Sequence, residues 1–214
     1  MIKISPSVLT ADYLTLDKEL RIFENSGIDL LHIDVMDGNF VPNISFGAPV
    51  IKSIKEHTSL PLDIHLMIDK PHRYIKDFAK YAHYLGIHFE AGSPVAETLK
   101  MIREEGCKPV LTIKPKTQPE EIFEFLPLVD MVLVMSVEPG FGGQKFMMSA
   151  LDKLKVLKEE INRQNLEVDL EVDGGINFET AKLCAEAGAT VLVAGSFLFD
   201  AQDKEGTIKK LKSL

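Results

Sequence analysis

Asp29-Leu30-Leu31-His32-Ile33-Asp34-Val35-Met36 is a short apolar run that carries two polar side chains spaced by two. A strand turns alternate residues to opposite faces, so His32 and Asp34 share one face and Met36 follows them. Taken alone, such a pair reads more readily as a buried core histidine and a turn or cap aspartate. Its recurrence decides otherwise. The run 61–67, PLDIHLM, places His65 behind a second apolar stretch, and 166–175, LEVDLEVDGG, places Asp173 at the end of a third. An unpaired charge at each of those points would cost several kcal/mol. Two imidazoles and two carboxylates delivered from three strands are instead a ligand set for one divalent cation, and carboxylates can also move protons.

Outward from these runs the chain alternates short apolar segments with amphipathic ones. Candidate strands fall at 2–9, 29–36, 61–67, 84–90, 108–114, 130–136, 167–173 and 190–196. Helix signals lie between them: Ser93 as N-cap with Pro94 at the first helical position, a capping box Thr117-x-x-Glu120, and a helix opened by Asn177 and closed by Gly188. Eight strand–helix units in 214 residues predict one α/β domain over 1–214, a closed (β/α)8 TIM barrel rather than an open doubly wound sheet. In such barrels the chemistry sits where strands end, and His32, Asp34, His65 and Asp173 all occupy those ends. The connection 38–50, GNFVPNISFGAPV, is a candidate wall or lid for the site.

Composition narrows the partners. A formal net charge of −8 argues against nucleic acid or an anionic membrane, which recruit basic patches. The two cysteines, Cys107 and Cys184, form neither a disulfide framework nor a CxxC metal site, which suits a reducing compartment. The start MIKISPSVLTADYL lacks a signal-peptide pattern and no run of about 18 apolar residues is present, so a cytoplasmic protein is expected.

Glycines cluster after the last three strands: Gly140-Phe141-Gly142-Gly143, Gly174-Gly175 and Gly195-Ser196. Glycine lets backbone N–H groups approach an anion closely, and barrels often bind phosphate with the loops after strands seven and eight and a short helix, here opening at 196–203. Met36, Met67 and Met135 follow or end strands two, three and six and are expected to wall the pocket without ligating. His88 and Glu90 repeat the same-face spacing and are read as hydrogen-bonding support, because four ligands already fill a site that must stay open to substrate. His57, His72 and His83 are read as surface residues. Lys114 could serve as a Schiff-base lysine, a weaker idea beside a complete metal set.

Together SPSVLTADY (5–13), HIDVMDGNFVPN (32–43), IHLM (64–67), VMSVEPGFGGQKF (134–146) and EVDGGIN (171–177) resemble the ribulose-phosphate 3-epimerase family, in order along essentially the whole chain. The resemblance implies a barrel enzyme of the pentose phosphate pathway interconverting D-ribulose 5-phosphate and D-xylulose 5-phosphate. It implies that His32, Asp34, His65 and Asp173 bind one divalent metal and that Asp34 and Asp173 are the catalytic acid–base pair. It implies further that Ser7, His65 and Asp173 contact substrate, and that Gly142, Gly143, Gln144, Gly174, Gly175, Gly195 and Ser196 surround its phosphate. A homo-oligomer is also expected from it. Ser136, Thr10 and Ile113-Lys114-Pro115 depart from the commoner family residues.

Inverting a carbon beside a ketone needs a proton removed on one face and returned on the other, through an enediolate, so two carboxylates are required. The ligand set suits Zn2+, Fe2+, Mn2+ or Co2+ equally. The nearest alternative is 3-epimerisation of a six-carbon ketose phosphate such as D-allulose 6-phosphate. An orotidine-phosphate decarboxylase site is excluded, because it needs a lysine where Met36 stands. A sugar-phosphate binding protein without catalysis would be expected to have lost one of the four metal-site residues.

Overall fold

The computed structural model describes residues 2–214, and its elements follow the predicted alternation. In chain order they are β1 (Lys3–Pro6), α1 (Leu16–Asn25), β2 (Leu31–Met36), α2 (Ala48–His57), β3 (Leu62–Met67), α3 (Ile75–Ala79) and β4 (Tyr84–His88). There follow α4 (Val95–Glu104), β5 (Lys108–Ile113), a 3-10 stretch Pro119–Leu128, β6 (Met131–Met135), α5 (Ser149–Arg163) and β7 (Asp169–Asp173). The chain finishes with α6 (Phe178–Glu186), β8 (Val191–Ala194), α7 (Ser196–Phe199) and α8 (Lys204–Lys212).

Every strand pair is parallel, and the order β1-β8-β7-β6-β5-β4-β3-β2 runs once around a barrel. The remaining seam, between β1 and β2, is joined by the bridge from Ser7 to His32 and by the Asp29 and Leu30 N–H groups on the Ile4 carbonyl. This nearly closed ring is a single-domain (β/α)8 TIM barrel. Ser7 and His32, from opposite ends of the sheet's list of strands, thereby become neighbours.

All six residues of β2 and of β3 are buried, because one face packs on helices and the other faces the barrel axis. Leu31, Ile33 and Val35 join the apolar layer under the helices, while Val110, Met131, Leu133 and Val191 fill the interior. Each fully buried aliphatic side chain contributes about 1.5–3 kcal/mol, so the outward residues of β2 offset the cost of turning His32 and Asp34 inward.

Two helix starts lie one residue later than their sequence signals. Pro94, not Ser93, is the N-cap of α4; the Ser93 hydroxyl lies 2.8 Å from His72 Nδ1 instead. The segment before β6 is capped by Gln118 and Glu121, whose carboxylate accepts the Gln118 N–H at 2.8 Å. Thr117 is drawn away because its hydroxyl donates to Glu90. Pro119 opens this segment, and Pro127, one residue before its end, removes a donor from its last turn. Asn177 caps α6 as expected, accepting the Glu179 and Thr180 N–H groups.

Candidate active site

At the C-terminal rim of the strands lies a cavity of about 830 Å3. Ser7 and Asp34 line it on one side, Asp173 on another, and Met36, Met67 and Met135 form apolar wall between them. His32 and His65 sit beneath its floor, in reach of Asp34. His65 Nδ1 is 3.2 Å and His32 Nε2 3.4 Å from Asp34 Oδ1, and the Ser7 hydroxyl donates to Asp34 Oδ2 at 2.6 Å. One ligand atom each of His32, Asp34, His65 and Asp173 lies within 4.8 Å of the others. Parallel register explains the gathering: Asp34 pairs with His65 across β2 and β3, and Asp173 ends β7, which lies on the other side of the β1–β2 seam beyond β1 and β8.

The donor set fits a cation. The His32 Nδ1–H donates to Asp63 Oδ2 at 2.6 Å, which turns Nε2 toward the cluster. Among the described residues that buried Nε2 has no hydrogen-bond partner. A buried ring nitrogen beside two carboxylates and a second imidazole is a position that draws a cation, a proton in the metal-free protein or a borderline divalent metal in its place.

The two carboxylates are driven apart electrostatically. Burial works to raise both. At Asp34 the adjacent His32 and His65 overcome it and hold the group well below the usual carboxylate range. At Asp173 burial, the Asp34 charge and Asp63 act together and push it up to about 7. His32 is desolvated, yet Asp34 and Asp63 raise it well above an ordinary histidine. Burial lowers His65, and lowers His88 to about 4, so both are neutral imidazoles near pH 7.

The glycine loops converge on the same cavity. Gly142, Gly143, Gln144, Gly174, Gly175, Gly195 and Ser196 all line it. Gly175 has φ +61, and a Cβ there would lie 2.5 Å from the Phe146 backbone N, so only glycine keeps this wall open. The Gln144 amide donates to the carbonyls of Glu138 at 2.7 Å and Phe141 at 2.8 Å, shaping its own loop. The 38–50 connection acts as wall: Asn43 Nδ2 donates to the Gly140 carbonyl at 2.7 Å, and Phe40 lies against His88 at 4.8 Å between ring centroids. Lys114 is spent on that wall, with Nζ 3.6 Å from the centre of the Phe40 ring.

Asp63 and Glu171 escaped the sequence reading. Each stands two residues before a recognised site residue, His65 and Asp173, and so on the same face one layer deeper. With His32 they form a second buried group whose ligand atoms lie within 4.8 Å of one another. Burial, and Asp63 next to it, raise Glu171 well above an ordinary glutamate. The signal was the period-2 repetition of acids in LDIHLM and LEVDLEVD. His57 and His83 are exposed as expected, whereas His72 is half-buried against Ser93.

A parallel (β/α)8 barrel that gathers paired acids, a metal-fitting cluster and glycine loops on one rim has the layout of a barrel enzyme. The sequence model of the ribulose-phosphate 3 epimerase family matches residues 3–199. The chain is 44% identical over 214 residues to the ribulose-phosphate 3-epimerase of Bacillus subtilis (strain 168), covering 99% of both chains. It is 41% identical to that of Aquifex aeolicus (strain VF5) over 212 residues, covering 99% of this chain and 96% of the relative. This chain belongs to the ribulose-phosphate 3-epimerase family, and is thereby an isomerase acting on carbohydrate. Among solved structures, thiamine phosphate pyrophosphorylase from Pyrococcus furiosus superposes with a TM-score of 0.66 at 13% identity, covering 99% of this chain and 94% of that one. At that identity the likeness speaks for the barrel alone. Among the described residues no helix is long and apolar enough to cross a membrane.

Proposed function

We propose that the chain interconverts D-ribulose 5-phosphate and D-xylulose 5-phosphate by moving a proton at C3 between Asp34 and Asp173. The observation that carries this reading is the pair of carboxylates converging on one cavity with opposite proton affinities. Asp34, ionised and steadied by the Ser7 hydroxyl, takes the C3 proton from one face. Asp173, raised in the metal-free protein by burial and the Asp34 charge, is the group that returns a proton on the other; the reverse reaction exchanges the roles.

His32, Asp34, His65 and Asp173 would hold one divalent cation, Zn2+, Fe2+, Mn2+ or Co2+. When bound it supplies a Lewis acid for the charge that develops on the ketone oxygen, worth several kcal/mol. Met36, Met67 and Met135 exclude water from that side, so carbanion character at C3 is not quenched from the wrong face. Backbone N–H groups of Gly142, Gly143, Gly174, Gly175, Gly195 and Ser196 receive the phosphate, with Gln144 holding the loop, and this grip fixes C3 between the acids. Neutral amides suit a chain of net charge −8. The match to ribulose-phosphate 3-epimerases over nearly their full length supports the pentulose substrate, and a homo-oligomer in the cytoplasm belongs to the same proposal.

The test is proton NMR of ribulose 5-phosphate with purified protein in D2O. Xylulose 5-phosphate should form with deuterium at C3. Binding of the sugar with its C3 proton intact would defeat the reading, as would faster turnover of allulose 6-phosphate.

A further inference from the structure

A buried strand needs partners for its backbone N–H and C=O groups along both sides, and at the rim of this barrel β2 loses one of them. β1 ends at Pro6, its last bridge runs from Ser7 to His32, and the chain then turns off into the 3-10 stretch Val8–Thr10. β2 continues to Met36, with β3 beside it as far as Met67. Along its other side, among the described residues, no strand accompanies Asp34 and Met36, although both are buried.

Ser45 fills that gap. After Met36 the chain folds back: Asp37 bridges Ile44 in antiparallel sense, and the Gly38 N–H donates to the Asn43 carbonyl at 2.9 Å. The return lays Ser45 along the bare edge. Its hydroxyl donates to the Asp34 carbonyl at 2.6 Å and accepts the Met36 N–H at 3.0 Å, and its own N–H reaches the Met36 carbonyl at 3.4 Å. A hydroxyl donates and accepts at once, so this one side chain serves two backbone groups as a neighbouring strand would. Asp34 is thereby held at both ends by serines from the two sides of the seam, its carboxylate by Ser7 at 2.6 Å and its carbonyl by Ser45.

We propose that Ser45 is a positioning residue, which by standing in for the missing strand fixes the backbone of Asp34 and so the place of its carboxylate at the reacting carbon. The catalytic part of this rests on Asp34 being the base of the proposed proton transfer. Ser45 does not line the substrate cavity; it opens on a separate groove of about 410 Å3, so it acts through Asp34 and touches no substrate.

Ser45→Ala and Ser45→Thr test the role together. Without the hydroxyl the Asp34–Met36 edge has no partner of fixed geometry, and misplacing a catalytic group by about an ångström costs about a hundredfold in rate. In Ser45→Ala kcat for ribulose 5-phosphate should fall about tenfold to a hundredfold, with KM within about twofold because the glycine loops that would hold the phosphate follow β6, β7 and β8. Threonine keeps the hydroxyl, its methyl has room in the groove, and it should recover most of the rate. Hydrogen exchange should show the Met36 amide at least about tenfold less protected in Ser45→Ala than in wild type or Ser45→Thr, with the amides within β3 unaltered. The carboxyl carbon-13 resonance of Asp34 should move in the alanine variant and return in the threonine one. An alanine variant that melts earlier yet turns over at the wild-type rate, a threonine variant as slow as alanine, or a Met36 amide and Asp34 resonance alike in all three proteins overturns the proposal. Should wild type fail to turn over the sugar, the epimerase reading fails, while the Met36 amide and the Asp34 resonance still decide whether Ser45 positions Asp34.

Discussion

Asp173→Asn separates the two halves of the proposed proton transfer. Asparagine has the shape of a protonated aspartate, and Asp173 holds its proton up to about pH 7, so the fold should keep a neutral side chain there without strain. What is lost is the capacity to give and take the proton, a function worth about 10^2 to 10^4 in rate. The methionine wall leaves water little chance to substitute, so we expect a loss of about 10^3-fold in kcat, or about 4 kcal/mol. Asp34 remains, and it faces only one side of C3. At saturating metal, verified by metal content, the variant should therefore exchange the C3 proton of one epimer with D2O but not invert it. The other epimer should keep its proton. Proton NMR of each pentulose 5-phosphate incubated separately reads both outcomes. Inversion at near wild-type rate, or exchange into both epimers alike, would refute the two-acid reasoning.

Ser7→Ala removes a buried hydroxyl that donates to the Asp34 carboxylate at 2.6 Å; a bond to a charged group is worth about 1.5–3 kcal/mol, so kcat should fall about tenfold to a hundredfold and the melting temperature should drop by several degrees. Gly175→Ala forces a Cβ to 2.5 Å from the Phe146 backbone N at φ +61, and steady-state kinetics should show KM for the sugar phosphate rising far more than kcat falls. In metal-free protein the raised Asp173 group stabilises the fold fully below its unfolded value of 3.8, and that contribution disappears as pH rises through about 7. Thermal melts of metal-free wild type should thus decline between about pH 4 and 7 more steeply than those of Asp173→Asn, the two slopes converging above that range. Equal slopes would contradict the assignment.

Much of the site is legible because strand periodicity and barrel topology are local rules with a long-range consequence. His32 and Asp34 announce themselves by spacing, and a parallel barrel sends every strand end to one rim, which is enough to bring His65 and Asp173 to them. The same rule applied one step further back would have found Asp63 and Glu171; attention to strand ends hid the polar layer beneath. Other features are not local. Thr117 fails to cap because Glu90, in the turn after β4, takes its hydroxyl instead, and Pro94 displaces Ser93 while Ser93 turns to His72. His65 turns Nδ1 to Asp34 and Nε2 to His88, an orientation set by neighbours on two other strands and by no spacing within its own run.

The account stands on one cation bound between two acids at the barrel mouth. Crystals grown with Zn2+ and measured on both sides of the zinc absorption edge would locate it. A single anomalous peak about 2.0–2.2 Å from His32 Nε2, His65 Nδ1 and oxygens of Asp34 and Asp173 is the expected result. A peak elsewhere in the molecule, or none at these four residues under saturating zinc, would contradict it.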